Sequence, residues 1–303
     1  IYYTFTPTPR RKTMAKKSRE KNYLIFMVPT ITLLLLTVVA PMVYSFVLSF
    51  TDADLKYKGI GDFVGITNYI EVLSDTYFRG SILTTFIFSF VVVAVEFMIG
   101  FGIALLLNTN IKGKNIFFSI IIVPMMITPI AVGLCWRLLL HNTLGVVNWL
   151  LSVVGITGHA WLGDSKTALG TVMFIDIWQQ VSYMVLVLLA GLVSLPTEPY
   201  EAARIDGASN YQCFRYLTLP MMAPTFSVAI LLRLITAFKT YDLIYVLTKG
   251  GPGTSTEVIS YHIYRQAFTY LKTGRASAMS FILVIILLPL AYIAIRLLWR
   301  RRD

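Results

Sequence analysis

Residues 196–220 read PTEPYEAARIDGASNYQCFRYLTLP, a long polar interruption between two apolar runs. Thr197 is suited to cap a helix start. Glu198 puts negative charge at the positive end of the helix dipole, and Pro199 is tolerated in the first turn. The helix then runs through Tyr200, Glu201, Ala202 and Ala203 and stops at Asp206-Gly207, where glycine permits a left-handed turn. A second short helix begins at Ser209 and ends before Leu219-Pro220. The stretch therefore predicts a helix, a glycine turn and a second helix, lying outside a bilayer between two membrane spans.

Outward from this hairpin, the 303-residue chain is 56% hydrophobic, and its apolar residues come in runs long enough to cross a membrane. The predicted spans are 24–50, 81–108, 116–140, 168–195, 223–247 and 278–299, with Pro29 and Pro41 placed to kink the first. The reading is an all-α polytopic membrane protein. It divides into a basic tail, 1–22, and a transmembrane domain, 23–303, containing the polar loop 196–222. The first apolar run is too long for a cleaved signal peptide, and the expected start of the chain lies upstream of Ile1 or at Met14. The net charge of +11 raises a nucleic-acid partner. The basic residues flank apolar runs instead, the positive-inside pattern, which argues against nucleic acid. More than half of all Lys and Arg fall in the tail, the 109–115 turn, the 196–222 loop and Arg300, Arg301 and Arg302. This bias puts both termini and the hairpin in the cytoplasm, with the tail along the anionic leaflet of the inner membrane.

Glu201-Ala202-Ala203, with Gly207 following and Leu217-x-Leu219-Pro220 closing the stretch, resembles the EAA loop of binding-protein-dependent ABC importer permeases. The resemblance implies a type I importer permease fold. Tyr200, Glu201, Ala202, Ala203, Arg204, Asp206 and Gly207 would form a coupling helix docked in a groove of a cytoplasmic ATPase. Physical reading agrees: small Ala202 and Ala203 admit a close partner surface, and Glu201 and Arg204 orient it by charge. The bland alternative is an ordinary amphipathic loop. Phe63-Val64-Gly65 with Asn68-Tyr69 resembles an FVGLxNY element of carbohydrate-type permeases. The run from Asp242 to Thr256 is similar to their FDxIYVLTxGGP element, with Tyr241 and Lys249 departing from it. The family implies a second homologous permease chain, two ATP-binding subunits holding ATP and Mg, an extracytoplasmic solute-binding protein and a carbohydrate, expected to be an oligosaccharide, neutral or acidic. Ending at Arg-Arg-Arg-Asp, the chain resembles the tailless partner of a maltose- or glycerol-phosphate-type heterodimer.

Within the chain itself no G-x-x-x-x-G-K-[ST] string occurs, so ATP is expected on a partner and no cofactor here. Gly250-Gly251-Pro252-Gly253 reads as a turn. No catalytic constellation stands out, which points away from an enzyme. Cys135 and Cys213 fall at opposite membrane sides and are not expected to pair. His141, His159 and His262 read as surface residues of the outer loops rather than metal ligands. Ionisable groups within spans mark pathways. Asp176, Gln180 and Tyr183 recur at i, i+4, i+7 on the fourth span. Arg233 lies mid-span on the fifth, with Lys239 and Asp242 further out. Trp136, Trp178, Phe238, Tyr241 and Tyr245 offer aromatic faces for a sugar ring. Alternatively, Asp176, Arg233 and Lys239 pair with one another or with the second subunit and hold helices together, Glu96 is a buried inter-helix partner, Trp136 and Tyr245 are interfacial belt residues, and Arg137 snorkels. Arg137, Arg233 and Lys239 together favour an acidic sugar or a sugar phosphate, balanced by Glu96, Asp176 and Asp242. A rival reading is an ATPase-independent secondary transporter or channel that uses Glu96 and Asp176 as ion sites; it predicts inverted repeats between halves, which inspection does not find.

Overall fold

Because a bilayer core offers no water to backbone groups, apolar runs of this length must close their hydrogen bonds internally as helices. The computed structural model describes residues 27–56, 59–109 and 112–299. In it the runs become spans Met27–Leu48, Thr76–Leu107, Ala168–Val193, Asn210–Leu247 and Thr273–Ile293, and a broken span made of Lys114–Met126 and Pro129–Leu139. The all-α reading with six crossings holds. The basic tail, residues 24–26, and Arg300, Arg301 and Arg302 lie outside the described residues.

Three boundaries differ from expectation. The second span starts at Thr76 rather than residue 81, because the Asp75 carboxylate accepts from the Tyr77 N–H at 2.8 Å and caps it. The third span is two half-helices meeting at 95°, not one unbroken span over 116–140. Pro129 forces the preceding Thr128 into extended backbone, and Ile127 is extended as well. The helix that begins after the hairpin turn does not stop before Pro220. It continues into the fifth span through a π-turn, Phe214–Thr218, closed by the Leu219 N–H donating to the Phe214 carbonyl. Proline lacks an N–H and clashes with the carbonyl four residues back in a regular helix; the wider turn relieves both problems.

The second, fourth and fifth spans form the packed centre, around Phe88, Val92, Met184, Leu188 and Ile244. The second and fourth pack closely at Gly100, where an added Cβ would stand 2.6 Å from the Met184 Cβ. Absence of a side chain is what lets these two backbones meet. The first span packs against the sixth, with Phe46 edge-on to Phe281 at 5.1 Å.

At the membrane end away from the hairpin, the Asn68-Tyr69 element acts as a clasp. Buried Asn68 Nδ2 donates to the carbonyls of Ser49 at 3.0 Å and Thr51 at 2.7 Å, and the Tyr69 hydroxyl meets Ser49 Oγ at 2.7 Å. These carbonyls are freed where the first span ends. Asn68→Ala strands them, and the expected loss is about 1–3 kcal/mol, seen as a lower Tm in detergent; an unchanged Tm refutes the clasp. Thr256 Oγ1 donates to the Gly251 carbonyl at 2.8 Å and meets Thr248 Oγ1 at 2.7 Å, so the Gly-Gly-Pro-Gly stretch is the turn expected. His262, in contrast, is no surface residue. It is buried with Nδ1 2.8 Å from the Glu257 carboxylate, which also accepts from Arg265 Nη1. Arg137 donates to the Val246 carbonyl at 3.1 Å, which gives its charge a partner inside the protein rather than only at the surface.

Candidate functional site

The hairpin between the fourth and fifth spans is built from local chemistry. Its first helix is Glu198–Ile205. Thr197 precedes it but its side chain makes no capping bond, so Glu198 and Glu201 in the first turn carry that end's electrostatics. The helix closes in a paired-bond C-terminal motif. The Gly207 N–H donates to Arg204 at 3.1 Å and the Ala208 N–H to Ala203 at 2.9 Å. That geometry needs the residue between in the left-handed region, and Gly207 sits at φ +82°. Ser209 then starts the next helix with a reciprocal cap: the Gln212 N–H donates to Ser209 Oγ and the Ser209 N–H donates to Gln212 Oε1 at 2.7 Å.

Tyr200 is pinned to the base of the fifth span by its hydroxyl, 3.0 Å from Thr218 Oγ1. Glu201, Ala202, Arg204, Asp206 and Gly207 are exposed and Ala203 is partly so. Among the described residues neither Glu201 nor Arg204 has an ion-pair partner. Ile205, missed in the sequence reading, is 87% exposed at the tip of this helix.

Deep in the membrane region the three central spans are tied by charge. Arg233 Nε donates to Glu96 Oε2 at 2.6 Å and Nη2 to Glu96 Oε1 at 2.8 Å, a two-pronged pair. Nη2 also donates to Asp176 Oδ2, and Nη1 reaches Thr236 Oγ1 at 3.3 Å. Glu96 is 0% exposed and Asp176 and Arg233 3% each, so the second, fourth and fifth spans share one buried ion cluster.

Beside this cluster opens a polar cavity of about 160 Å³, lined in part by Asp176, Gln179, Gln180, Thr236, Lys239, Thr240, Tyr241 and Asp242. The structure thus brings together six residues singled out from sequence: Asp176, Gln180, Arg233, Lys239, Tyr241 and Asp242. Lys239 and Asp242 form no ion pair among the described residues. Gln179, Thr236 and Thr240 are additions; polar side chains spaced across two spans carry no signal of convergence. Gln179 Nε2 donates at 2.8 Å to the Ile127 carbonyl, freed where the third span breaks.

Four residues assigned to a substrate pathway do not line this cavity. Phe238 is 1% exposed, packed edge-on to Phe86 with centroids 5.0 Å apart, so its face is spent in the core. Trp178 lies off the cavity and packs edge-on to Trp136 at 5.6 Å. Tyr183 is half-buried against the core. Tyr245 stacks on Tyr241 at 5.5 Å, in a cluster with Tyr261 and Tyr264.

Residues 96–301 match the family model described as binding-protein-dependent transport system inner membrane component. The chain belongs to that family. This transport component is 37% identical to a probable ABC transporter permease protein of Sinorhizobium fredii, over 98% of its own length and 96% of that protein. It is 36% identical to the trehalose/maltose transport system permease protein MalF of Thermococcus litoralis, covering 95% and 96%. Its fold is shared with a chain in the crystal structure of a bacterial alginate ABC transporter in complex with an alginate pentasaccharide-bound periplasmic protein. The TM-score there is 0.80 at 23% identity, over 94% of this chain and 96% of that one. The transport component is therefore a multi-pass inner-membrane subunit of a type I ABC importer and not an enzyme.

Proposed function

We propose that this permease passes a carbohydrate across the inner membrane in response to ATP hydrolysis on partner subunits. The observation that carries the reading is continuity. The helix that begins at Asn210, just past the exposed hairpin turn, runs through Arg233 to Phe238 and ends at Lys239 on the cavity lining, and so joins hairpin and polar cavity within one span. A push on Tyr200, Glu201, Ala202, Ala203, Arg204, Asp206 and Gly207 rotates the fourth and fifth spans, and the cavity alternates between the two membrane faces. The assembly comprises a second homologous permease, two ATP-binding subunits that hold ATP and Mg, and an extracytoplasmic solute-binding protein. Both termini lie in the cytoplasm. The carbohydrate class rests on the likeness to the trehalose/maltose permease together with the FVG and GGP elements.

Asp176, Gln180, Lys239, Tyr241 and Asp242 supply the hydroxyl-pairing groups and one aromatic face at the cavity. Glu96 and Asp176 are both engaged by Arg233, which leaves the rival ion-coupled mechanism without a free carboxylate pair. The test is reconstitution with the co-purifying ATPase and a binding protein, screening sugars for stimulated hydrolysis. Stimulation by a sugar supports the reading; uptake that continues without any ATPase overturns it. In the same system Lys239→Gln is expected to reduce uptake of acidic sugars severalfold more than neutral ones. Equal effects on both remove any role for its charge in selectivity.

A further inference from the structure

A second cleft, larger than the polar cavity, measures about 690 Å³ and lies at the membrane end away from the hairpin, walled by Trp136, Leu140, Val147, Trp161, Gly170 and Phe174. Its size and apolar walls are those of a ligand pocket. Lys166 is the one charged residue on its lining, and no ion pair among the described residues engages it.

The cleft is built rather than incidental. Asn148, on the loop helix Val146–Val153, donates through Nδ2 to the carbonyls of Asn142 at 3.0 Å and His159 at 3.1 Å. Its Oδ1 accepts from Trp161 Nε1 at 2.8 Å. One buried amide thus closes the loop on itself and satisfies the indole N–H, leaving the Trp161 ring as wall.

Its direction identifies its occupant. Phe174 and Trp178 each stand two residues from Asp176, roughly 200° around a helix of 3.6 residues per turn. The cleft therefore opens on the reverse of the fourth span from the polar cavity. If the cavity is the pathway, as proposed above, the second permease closes it from the cavity side and the reverse side meets lipid. Residues 142–163 contain no Lys, Arg, Asp or Glu. Leu144, Trp149, Val153 and Val154 on that loop are all exposed. A chargeless apolar surface with tryptophans at a span's end is the composition of a helix lying in the bilayer interface. A lone ammonium at its edge complements a phosphate.

We propose that this cleft is a phospholipid site: one acyl chain enters between the third and fourth spans beneath the loop helix, and an anionic headgroup sits over Lys166. The test uses the assembled transporter in nanodiscs of phosphatidylcholine doped with phosphatidylglycerol that carries a diazirine at the end of one acyl chain. After irradiation, label is expected on peptides containing Val147 and Gly170 severalfold above the exposed first-span residue Leu36, a control for bulk lipid. Gly170 has open space around an added Cβ, so Gly170→Trp fills the cleft without a core clash; cleft label falls severalfold while label at Leu36 stays. Lys166→Gln lowers labelling by the phosphatidylglycerol probe and leaves a phosphatidylcholine probe unaffected. Uniform label over cleft and Leu36, or cleft label indifferent to Gly170→Trp, overturns the site. So does a cross-link from a photoreactive residue at Val147 to another protein subunit. Uptake measured on the same preparation separates this outcome from failure of the transport reading.

Discussion

Arg233→Met is expected to yield a chain that reaches the membrane but does not hold its fold. The guanidinium is the shared partner of Glu96 and Asp176, all three almost wholly excluded from solvent. Removing it leaves two carboxyl groups facing each other with no donor between them, and breaking a buried pair from one side costs about 3–5 kcal/mol. The measure is folded yield and Tm in detergent. Arg233→Lys keeps the charge but not the two-pronged geometry and falls between Met and wild type. The triple change Glu96→Gln, Asp176→Asn, Arg233→Met removes charge from all three spans at once and recovers most of the stability. If Arg233→Met alone melts like wild type, the cluster does not hold the spans together.

Gly207→Pro and Glu201→Lys are expected to drop uptake below detection while leaving membrane insertion intact. Gly207 has φ +82° and its N–H closes the helix on Arg204. Proline is locked near φ −65° and has no N–H, so the hairpin turn cannot form and the helix loses its fixed angle to the fifth span. Gly207→Ala keeps the N–H and carries only the left-handed penalty of about 1–2 kcal/mol, so it should retain partial transport. Glu201→Lys reverses an exposed charge in the first turn without touching the core. Binding-protein-stimulated ATPase activity should be lost in both the proline and lysine variants. Normal coupling in both would refute the hairpin's role as the handle of the motor.

How much of this was legible beforehand follows from the range of each interaction. The hairpin could be read residue by residue, since Gly207, Ser209 and Gln212 act on backbone groups within a few positions. The spans could be read because a bilayer demands about 20 apolar residues per crossing. Pro220 misled, because a terminator in a regular helix is accommodated by a π-turn whose cost is met by packing. Pro129 misled too: one span was expected over 116–140 where the chain bends by 95°. Asp176 and Gln180 were correctly placed on one face by spacing, whereas Phe238 and Trp178 look equally suitable in sequence and differ only in what surrounds them.

Local rules and the bilayer's demand for satisfied backbone groups were enough to set the helices, their number and the exposed elbow. What folding alone decided was partnership across distance. Arg233 and Glu96 are 137 residues apart, and nothing in either neighbourhood names the other. Side chains on separate spans find each other only once close contacts such as Gly100 against Met184 fix how the helices are turned, because burial makes a charge depend on whichever opposite charge the packing brings beside it.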